Sequence, residues 1–194
     1  MTHDNPRTLD ALKDAILGTW VSLAVELRPT EDRTGSGQIE PTYLTRVFTY
    51  GPDDTFTGVI RMFGDNYGTL PLFEFAFEGH LVWHGAHPIA EGAFSVDYVL
   101  DTGFGVTPLN DQAAAMLNAM PAEGVAPFEA GVQQDLLEKP FPLFNMVAGQ
   151  IVVDYDLLYL HDGMLFFGAK HVDGTPFDKP ERRPHQLQVP LVRA

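Results

Sequence analysis

The spacing of hydrophobic positions near the start of the chain predicts a short amphipathic helix. Leu9, Leu12 and Ile16 recur at helical intervals, and Thr8 stands where an N-cap residue is expected. We therefore predict a helix over residues 8–17, which the glycine that follows would end.

Beyond this helix the hydrophobic period changes to two, which is typical of strands. In GTWVSLAVELRP (18–29), valines and leucines occupy one face, while Trp20, Ser22, Glu26 and Arg28 share the other. Further runs rich in β-branched and aromatic residues alternate in the same way and are bounded by Gly, Pro and Asp. The predicted strands are 19–28, 43–50, 56–63, 72–85 (as one strand or two), 93–100, 150–160, 164–169 and 187–192.

One stretch in the second half departs from this pattern. Thr107 and Pro108 resemble a cap and a first-turn proline, and helical spacing then continues to Met120. A second short helix is predicted over 132–138. Two inserted helices are too few for βαβ units, so the chain predicts a mainly β, antiparallel sandwich or barrel. We expect residues 1–194 to form one domain, with the helices around 107–138 covering an open barrel end.

Composition narrows the classes of function. Of the 194 residues 45% are hydrophobic, 14 are phenylalanine and none is cysteine, so we expect a large core without disulfides. The net charge of −14 argues against binding to nucleic acids or anionic membranes, since both require clustered Lys and Arg. With no apolar run near the roughly 18 residues of a membrane span and no signal-peptide pattern, we expect no membrane insertion and a cytoplasmic protein.

Arg46 is the most informative charged residue, because it alternates with Leu44 and Phe48 on an apolar face. A buried arginine needs a partner, and Glu26 is the natural candidate, with Arg28 and Asp65 as further members. Three interpretations remain open: a structural ion cluster, a polar anchor in an apolar pocket, or a solvated surface.

Other polar groups give weaker signals. His84 and His87 have a spacing that suits a metal on a helix, but Gly85 and Pro88 favour a turn, and we expect no metal site. Asp154 and Asp156 share one strand face, which we interpret as solvated. No phosphate-binding loop, dinucleotide fingerprint or serine-hydrolase elbow is present, and we expect no cofactor.

Several short motifs together resemble one domain of the adenomatosis polyposis coli down-regulated family, animal inhibitors of Wnt signalling. The shared pattern is G-x-W-x-S, then E-x-R-P, then L-T-R, then an Asp-containing turn followed by Pro. A strand and helix (VDYVLD, PLNDQAAAMLNAM) and a closing segment (LFFGAKHVDGTP, RRPHQLQVPLV) also resemble the family, so that nearly the whole chain is covered. The matching residues are Gly18, Trp20, Ser22, Glu26, Arg28, Pro29, Leu44, Thr45, Arg46, Asp65, Pro71, Asp173, Gly174, Arg183, Pro184, Pro190, Leu191 and Val192.

The resemblance implies a clamp-like, partly open, lipocalin-like β-barrel with an apolar cavity. Val25 and Gly68 occupy the places of two family cysteines, and losing both together fits a paired disulfide and a reducing compartment. The family carries two such domains, so we expect a stand-alone bacterial relative here.

Three functions follow as hypotheses. The first is binding of an elongated hydrophobic small molecule of acyl, isoprenoid or polyketide type. The alternative is a cofactor-free cyclase or isomerase that folds such a molecule, with Glu26, Tyr43, Arg46 and His84 as candidate catalytic residues. A filled barrel with an interaction role is the third. The candidate ligand-binding residues are Trp20, Glu26, Arg28, Arg46, Phe48, Met62, Phe73, Phe75, Trp83 and Phe166.

Overall fold

The computed structural model describes residues 5–31 and 36–194. His3 and residues 32–35, in the middle of the predicted polar loop 30–41, lie outside the described residues. The helices and strands are α1 Leu9–Ile16, β1 Gly18–Ser22, β2 Glu26–Glu31, β3 Ile39–Tyr50, β4 Thr55–Phe63, β5 Pro71–Ala86, β6 Ala93–Pro108, α2 Asp111–Asn118, β7 Gln134–Asp135, β8 Val152–His161, β9 Met164–Phe167 and β10 Leu191–Arg193.

The strands pair antiparallel into a ring-like sheet. Pairing runs in the order β1, β10, β9, β8, β6, β5, β4 and β3, and β3 pairs with β1 again. The prediction of a mainly β, antiparallel fold with an N-terminal helix is confirmed. The long strands β5 and β6 pair with each other. Each also extends beyond the part that pairs with its other neighbour, β4 for β5 and β8 for β6.

Strands β1 and β2 lie end to end along the same edge of β3. β1 pairs with Val47–Tyr50 of β3 and β2 with Ile39–Leu44, while residues 23–25 leave the ladder between them. The leucines of this stretch lie outside: Leu23 is 81% exposed and Leu27 is 59% exposed. The inner face therefore carries the polar side chains of the alternation, which is why they must find partners.

The helices agree with the sequence only in part. Thr8 caps α1 as predicted, and Leu12 and Ile16 are buried. The predicted cap at Thr107 and Pro108 is wrong, because strand β6 continues through Pro108 and Asn110 caps α2. In the described residues, no helix combines the length and apolar composition needed to cross a membrane.

The predicted helix over 132–138 is also wrong. Gln134 and Asp135 form β7 on the edge of β6, and the Leu136 N–H donates to the Phe104 carbonyl at 2.7 Å. Hydrogen bonding to the free backbone groups of the β6 edge therefore decides the structure of this segment, rather than its weak helical spacing.

The ring is completed on one side by chain without regular strand pairing. Along β8, β9 pairs with Leu158–His161 alone, so among the described residues the first half of β8 has no strand on that edge. Residues 168–190, here called the C-terminal strap, bridge this edge to β2. The Tyr155 N–H donates to the Phe177 carbonyl and the Glu31 N–H to the Val172 carbonyl, both at 2.7 Å.

Two apolar clusters fill the interior. The α1 cluster lies under α1 and consists of Leu12, Ile16, Trp20, Phe48, Tyr50, Phe56, Leu81, Phe94, Val96, Tyr98, Leu100, Leu158, Leu160, Leu165, Phe167 and Leu191. The α2 cluster consists of Phe73, Phe75, Phe104, Val106, Ala113, Leu117, Phe128, Leu136, Phe141 and Met146. Residues 109–151, here called the cover, contain α2 and close the ring over the second cluster.

Candidate functional site

A charge cluster of Ser22, Glu26, Arg28 and Arg46 joins β1, β2 and β3 on the inner face. The Arg46 Nε donates to Glu26 Oε1 at 2.9 Å, and the Arg28 Nη2 donates to Glu26 Oε2 at 2.9 Å. The Ser22 hydroxyl donates to Glu26 Oε1 at 2.6 Å and accepts the Arg46 backbone N–H at 2.7 Å. The predicted pairing of Arg46 with Glu26 is confirmed. Asp65 takes no part in it and accepts hydrogen bonds within its own turn.

Burial and pairing oppose each other at the Glu26 carboxylate. Burial raises its pKa, but the charge of Arg46, the Ser22 hydrogen bond and the charge of Arg28 together bring the pKa below its usual value. For the Arg46 guanidinium, burial and the nearby Arg28 lower the pKa, while Glu26 acts against them. Glu26 is thus held as a carboxylate between two guanidinium groups.

The far end of the Arg46 side chain reaches the strap. Its Nη2 donates to the Val189 carbonyl at 2.6 Å, and its Cζ lies 5.1 Å from the centroid of the Phe167 ring. Its Nη1 is buried and finds no hydrogen-bond partner among the described residues, and the same holds for the Oε1 of neighbouring Gln188. Burying a guanidinium nitrogen without a hydrogen-bond partner costs free energy, so the Arg46 guanidinium could still accept a further partner in the interior.

A second polar group lies inside the α1 cluster. The hydroxyls of Tyr50 and Tyr98 are 2.7 Å apart, and burial raises the pKa of both. Asp156, opposite Val96 in the β6–β8 ladder, is only 3% exposed. The interpretation of Asp156 as part of a solvated face is therefore wrong, whereas Asp154 is half-exposed and binds Lys170 at 2.7 Å.

Asp156 links the strap to the sheet. Its Oδ1 accepts the backbone N–H of Leu157 and of Gly168, each at 2.8 Å, at the point where β9 ends and the strap begins. Burial raises the pKa of this carboxyl to about 6, and the Lys170 ammonium acts against that rise. Sequence reasoning missed this residue because Leu157, on the other face of β8, is buried as well.

The outer face carries a histidine–aspartate–arginine group that the sequence did not indicate. The His84 Nε2 lies 2.7 Å from Asp97 Oδ2, and Arg183 of the strap donates to Asp97 Oδ1. Arg183 also donates to the carbonyls of Val96 and Asp156, so it fastens the strap across β6 and β8. Arg183 lies 86 residues from Asp97 in the chain, a separation at which no local pattern signals the contact.

The four candidate catalytic residues do not converge. Glu26 of β2 and Arg46 of β3 lie together inside the ring. Tyr43 lies on the opposite face of β3 from Arg46 and faces outward. His84 lies on the outer face, with its side chain 44% exposed.

Glu26, Arg28 and Arg46 form the charge cluster, and the other candidate ligand-binding residues divide among three places. Phe73 and Phe75 belong to the α2 cluster and Met62 packs against it. Trp20 and Phe48 belong to the α1 cluster, where the Trp20 indole donates to the Ile16 carbonyl. Two others lie at the margins. Trp83 donates to Asp54, and Phe166 packs against Tyr159 outside the ring.

Two of the surface concavities that the described residues form lie beside the helices. One, of about 370 Å³, lies beside α1 and is lined partly by charged side chains, including Lys13, Asp14 and Asp53. The other, of about 240 Å³, lies between α2 and the rest of the cover. It is lined by Leu117, Asn118, Met120, Pro121, Ala122, Val125, Ala126, Pro127, Phe128, Pro140, Phe141 and Pro142. We call this second, mainly apolar concavity the cover groove.

Val25 and Gly68 lie next to each other. These are the positions that we aligned with two cysteines of the Wnt-inhibitor family that the sequence resembles. A Cβ built on Gly68 would be 3.0 Å from Val25 Cγ2. Val25 Cγ2 stands near the position that a cysteine sulfur would take. In a disulfide the Cβ of one cysteine lies about 3 Å from the sulfur of the other, as the S–S bond length of about 2.04 Å requires, so this contact is compatible with a disulfide.

We expect the double variant Val25→Cys/Gly68→Cys to form a disulfide under mild oxidation. The bond should raise the free energy of unfolding by about 1–3 kcal/mol, below the loop-entropy value, because Gly68 has a φ of +71° that strains any other residue. Thiol titration and denaturation with and without reductant measure this, with Val25→Cys alone as control. Two thiols that stay free after oxidation would contradict it.

Within residues 5–31 and 36–194, no group of three or more His, Asp or Glu side chains is arranged to hold a metal ion. No protein-family model matches the chain.

Proposed function

We propose that the protein binds an elongated hydrophobic small molecule between the sheet and the cover, in the region of the α2 cluster. The observation that carries this proposal is the composition of that region. Within the described residues, none of the buried polar or charged side chains belongs to it, and the mainly apolar cover groove reaches it from the surface. Ligand sites in proteins are typically apolar concavities with few polar groups.

The aromatic rings of the α2 cluster form a continuous apolar surface. Phe75 and Phe104 lie on the sheet, and Phe141 and Phe144 of the cover pack over them with ring centroids 4.9–6.5 Å apart. Phe144 remains 41% exposed. A flexible apolar ligand would keep the sheet rings dry by taking the place of the two cover rings.

The cover is fastened to the sheet at only a few backbone positions. Among the described residues, these positions are the two-residue ladder of β7 and the N–H groups of Leu109, Gly131 and Leu136, which donate to the carbonyls of Leu72, Pro108 and Phe104. Segments held to the rest of a protein by few backbone hydrogen bonds open locally at low free energy. The cover is therefore the part of the ring that supports ligand entry.

The resemblance to the Wnt-inhibitor family points to the same class of ligand, because it implies an apolar cavity in a partly open barrel. We do not extend the proposal to a cyclase or isomerase. Of the four candidate catalytic residues, Tyr43 and His84 face away from the interior where Glu26 and Arg46 lie.

Native mass spectrometry of the purified protein, followed by organic extraction, tests the proposal. We expect a stoichiometric apolar molecule, or saturable binding of the neutral dye N-phenyl-1-naphthylamine to the extracted protein. Neither a bound molecule nor dye binding would contradict it.

A groove-filling variant locates the site. Val125 lines the cover groove and packs against the α2 cluster, so Val125→Trp should weaken dye binding by about tenfold, equivalent to about 1.4 kcal/mol. Val47→Trp is the matched control, because Val47 is exposed on the outer face of β3. Equal affinities of the two variants would place the dye elsewhere.

A further inference from the structure

We propose that the apolar ligand carries a carboxyl group and that Arg46 binds it. This inference rests on the proposed function and adds the chemical class of the ligand. Arg46 lies at the right place for such a role, because its row in the sheet continues through Ile60 of β4 and Phe75 of β5 to Val106 of β6. Phe75 and Val106 belong to the α2 cluster.

The charge balance around Arg46 favours an anion. Two guanidinium groups, Arg28 and Arg46, share the single carboxylate of Glu26, so these three side chains carry a net charge of +1. Both oxygens of Glu26 are already used: Oε1 by Ser22 and Arg46, and Oε2 by Arg28. A ligand carboxylate would neutralise the remaining charge.

The hydrogen bonds of Arg46 point to the same conclusion. The residue is 2% exposed, its Nη1 has no partner within residues 5–31 and 36–194, and its Nη2 donates to the neutral Val189 carbonyl. A carboxylate that takes the place of this carbonyl would meet Nη1 and Nη2 together. That fork is the geometry for which arginine is best suited, and charge-assisted bonds of this kind are stronger than those to a carbonyl.

The stretch of strap that covers Arg46 lies at the surface, since Val189 is 51% exposed. A ligand would therefore reach Arg46 by displacing this stretch. Among the described residues, the buried Oε1 of neighbouring Gln188 has no hydrogen-bond partner. A carboxyl group bound at Arg46 would lie beside Gln188, whose amide could then be paired.

A comparison of two ligands of equal chain length tests the inference on the wild-type protein. Dodecanoic acid and 1-dodecanol would each be titrated against bound N-phenyl-1-naphthylamine at pH 8. We expect the apparent dissociation constant of the acid, obtained from displacement of the dye, to be at least tenfold lower than that of the alcohol. Equal displacement would overturn the carboxyl assignment and leave the proposed function standing, whereas a dye that does not bind at all would overturn both.

The double variant Glu26→Gln/Arg46→Met assigns the preference to the charge cluster. It removes the ion pair as a unit, a change that proteins often tolerate. We expect it to bind acid and alcohol with affinities within about twofold of each other. Arg61→Met is the matched control, because Arg61 pairs with Glu74 on the exposed face of the adjacent strand. An acid preference that survives the double variant would overturn the role of Arg46.

Discussion

Replacing Arg46 with methionine is expected to lower the free energy of unfolding by about 3–5 kcal/mol. The side chain is 3% exposed, and its loss would leave the carboxylate of Glu26, itself 2% exposed, with only Arg28 and Ser22. It would also free the Val189 carbonyl that the guanidinium holds. Denaturant unfolding at pH 7, monitored by tryptophan fluorescence, measures the change.

Two comparisons separate burial of a charge from loss of an arginine. Arg61→Met removes an equally short ion pair whose arginine side chain is 49% exposed, and should cost no more than about 1 kcal/mol. Glu26→Gln/Arg46→Met should recover much of the loss, since the double variant no longer buries the carboxylate that Arg46→Met leaves with one arginine in place of two. If Arg46→Met and Arg61→Met were equally mild, the charge cluster would contribute little to stability.

The charge cluster shows how far local sequence pattern can reach. Alternation placed Glu26 and Arg28 on one face of the first strand and Arg46 among apolar neighbours on another, and a buried arginine needs a carboxylate. That argument identified the pair correctly. It did not predict that Leu23 and Leu27 would be exposed, because alternation defines two faces and does not say which one the ring encloses.

Residues 132–138 show a limit of local reasoning. Their spacing favoured a helix, but the β6 edge next to them offers backbone partners that are distant in sequence. The strap illustrates the same limit. Arg183 of the strap crosses β8 at the Asp156 carbonyl, and Leu157 on the outer face and Asp156 on the inner face are both buried there. A strand with two buried faces therefore looked like one with a solvated face.

The second large expected effect is a dependence of the free energy of unfolding on pH, caused by the buried carboxyl of Asp156. Its two backbone hydrogen bonds, from Leu157 and Gly168, stabilise the carboxylate, yet burial raises its pKa from 3.8 to about 6. Between pH 4 and 6 the folded protein therefore holds a proton that the unfolded chain has largely released. This single group makes the folded state less stable as pH rises through that range.

Asp156→Asn is expected to remove this dependence. The Asn oxygen can accept the same two N–H groups and carries no charge. Relative to wild type, the variant should therefore be more stable at pH 7 by about 3 kcal/mol, the equivalent of a pKa rise of about two units, and the difference should shrink to below about 1 kcal/mol at pH 4. Free energies of unfolding of both proteins, measured in urea from pH 4 to 8, give this difference directly.

Glu26, whose lowered pKa acts in the opposite direction, is present in both proteins and cancels. Asp178→Asn, at an exposed pair with Arg182 in the strap, should show no such trend. A difference between Asp156→Asn and wild type that is constant with pH would mean that the Asp156 carboxyl titrates alike in the folded and unfolded chains. Its hydrogen bonds to the start of the strap would then fully offset its burial.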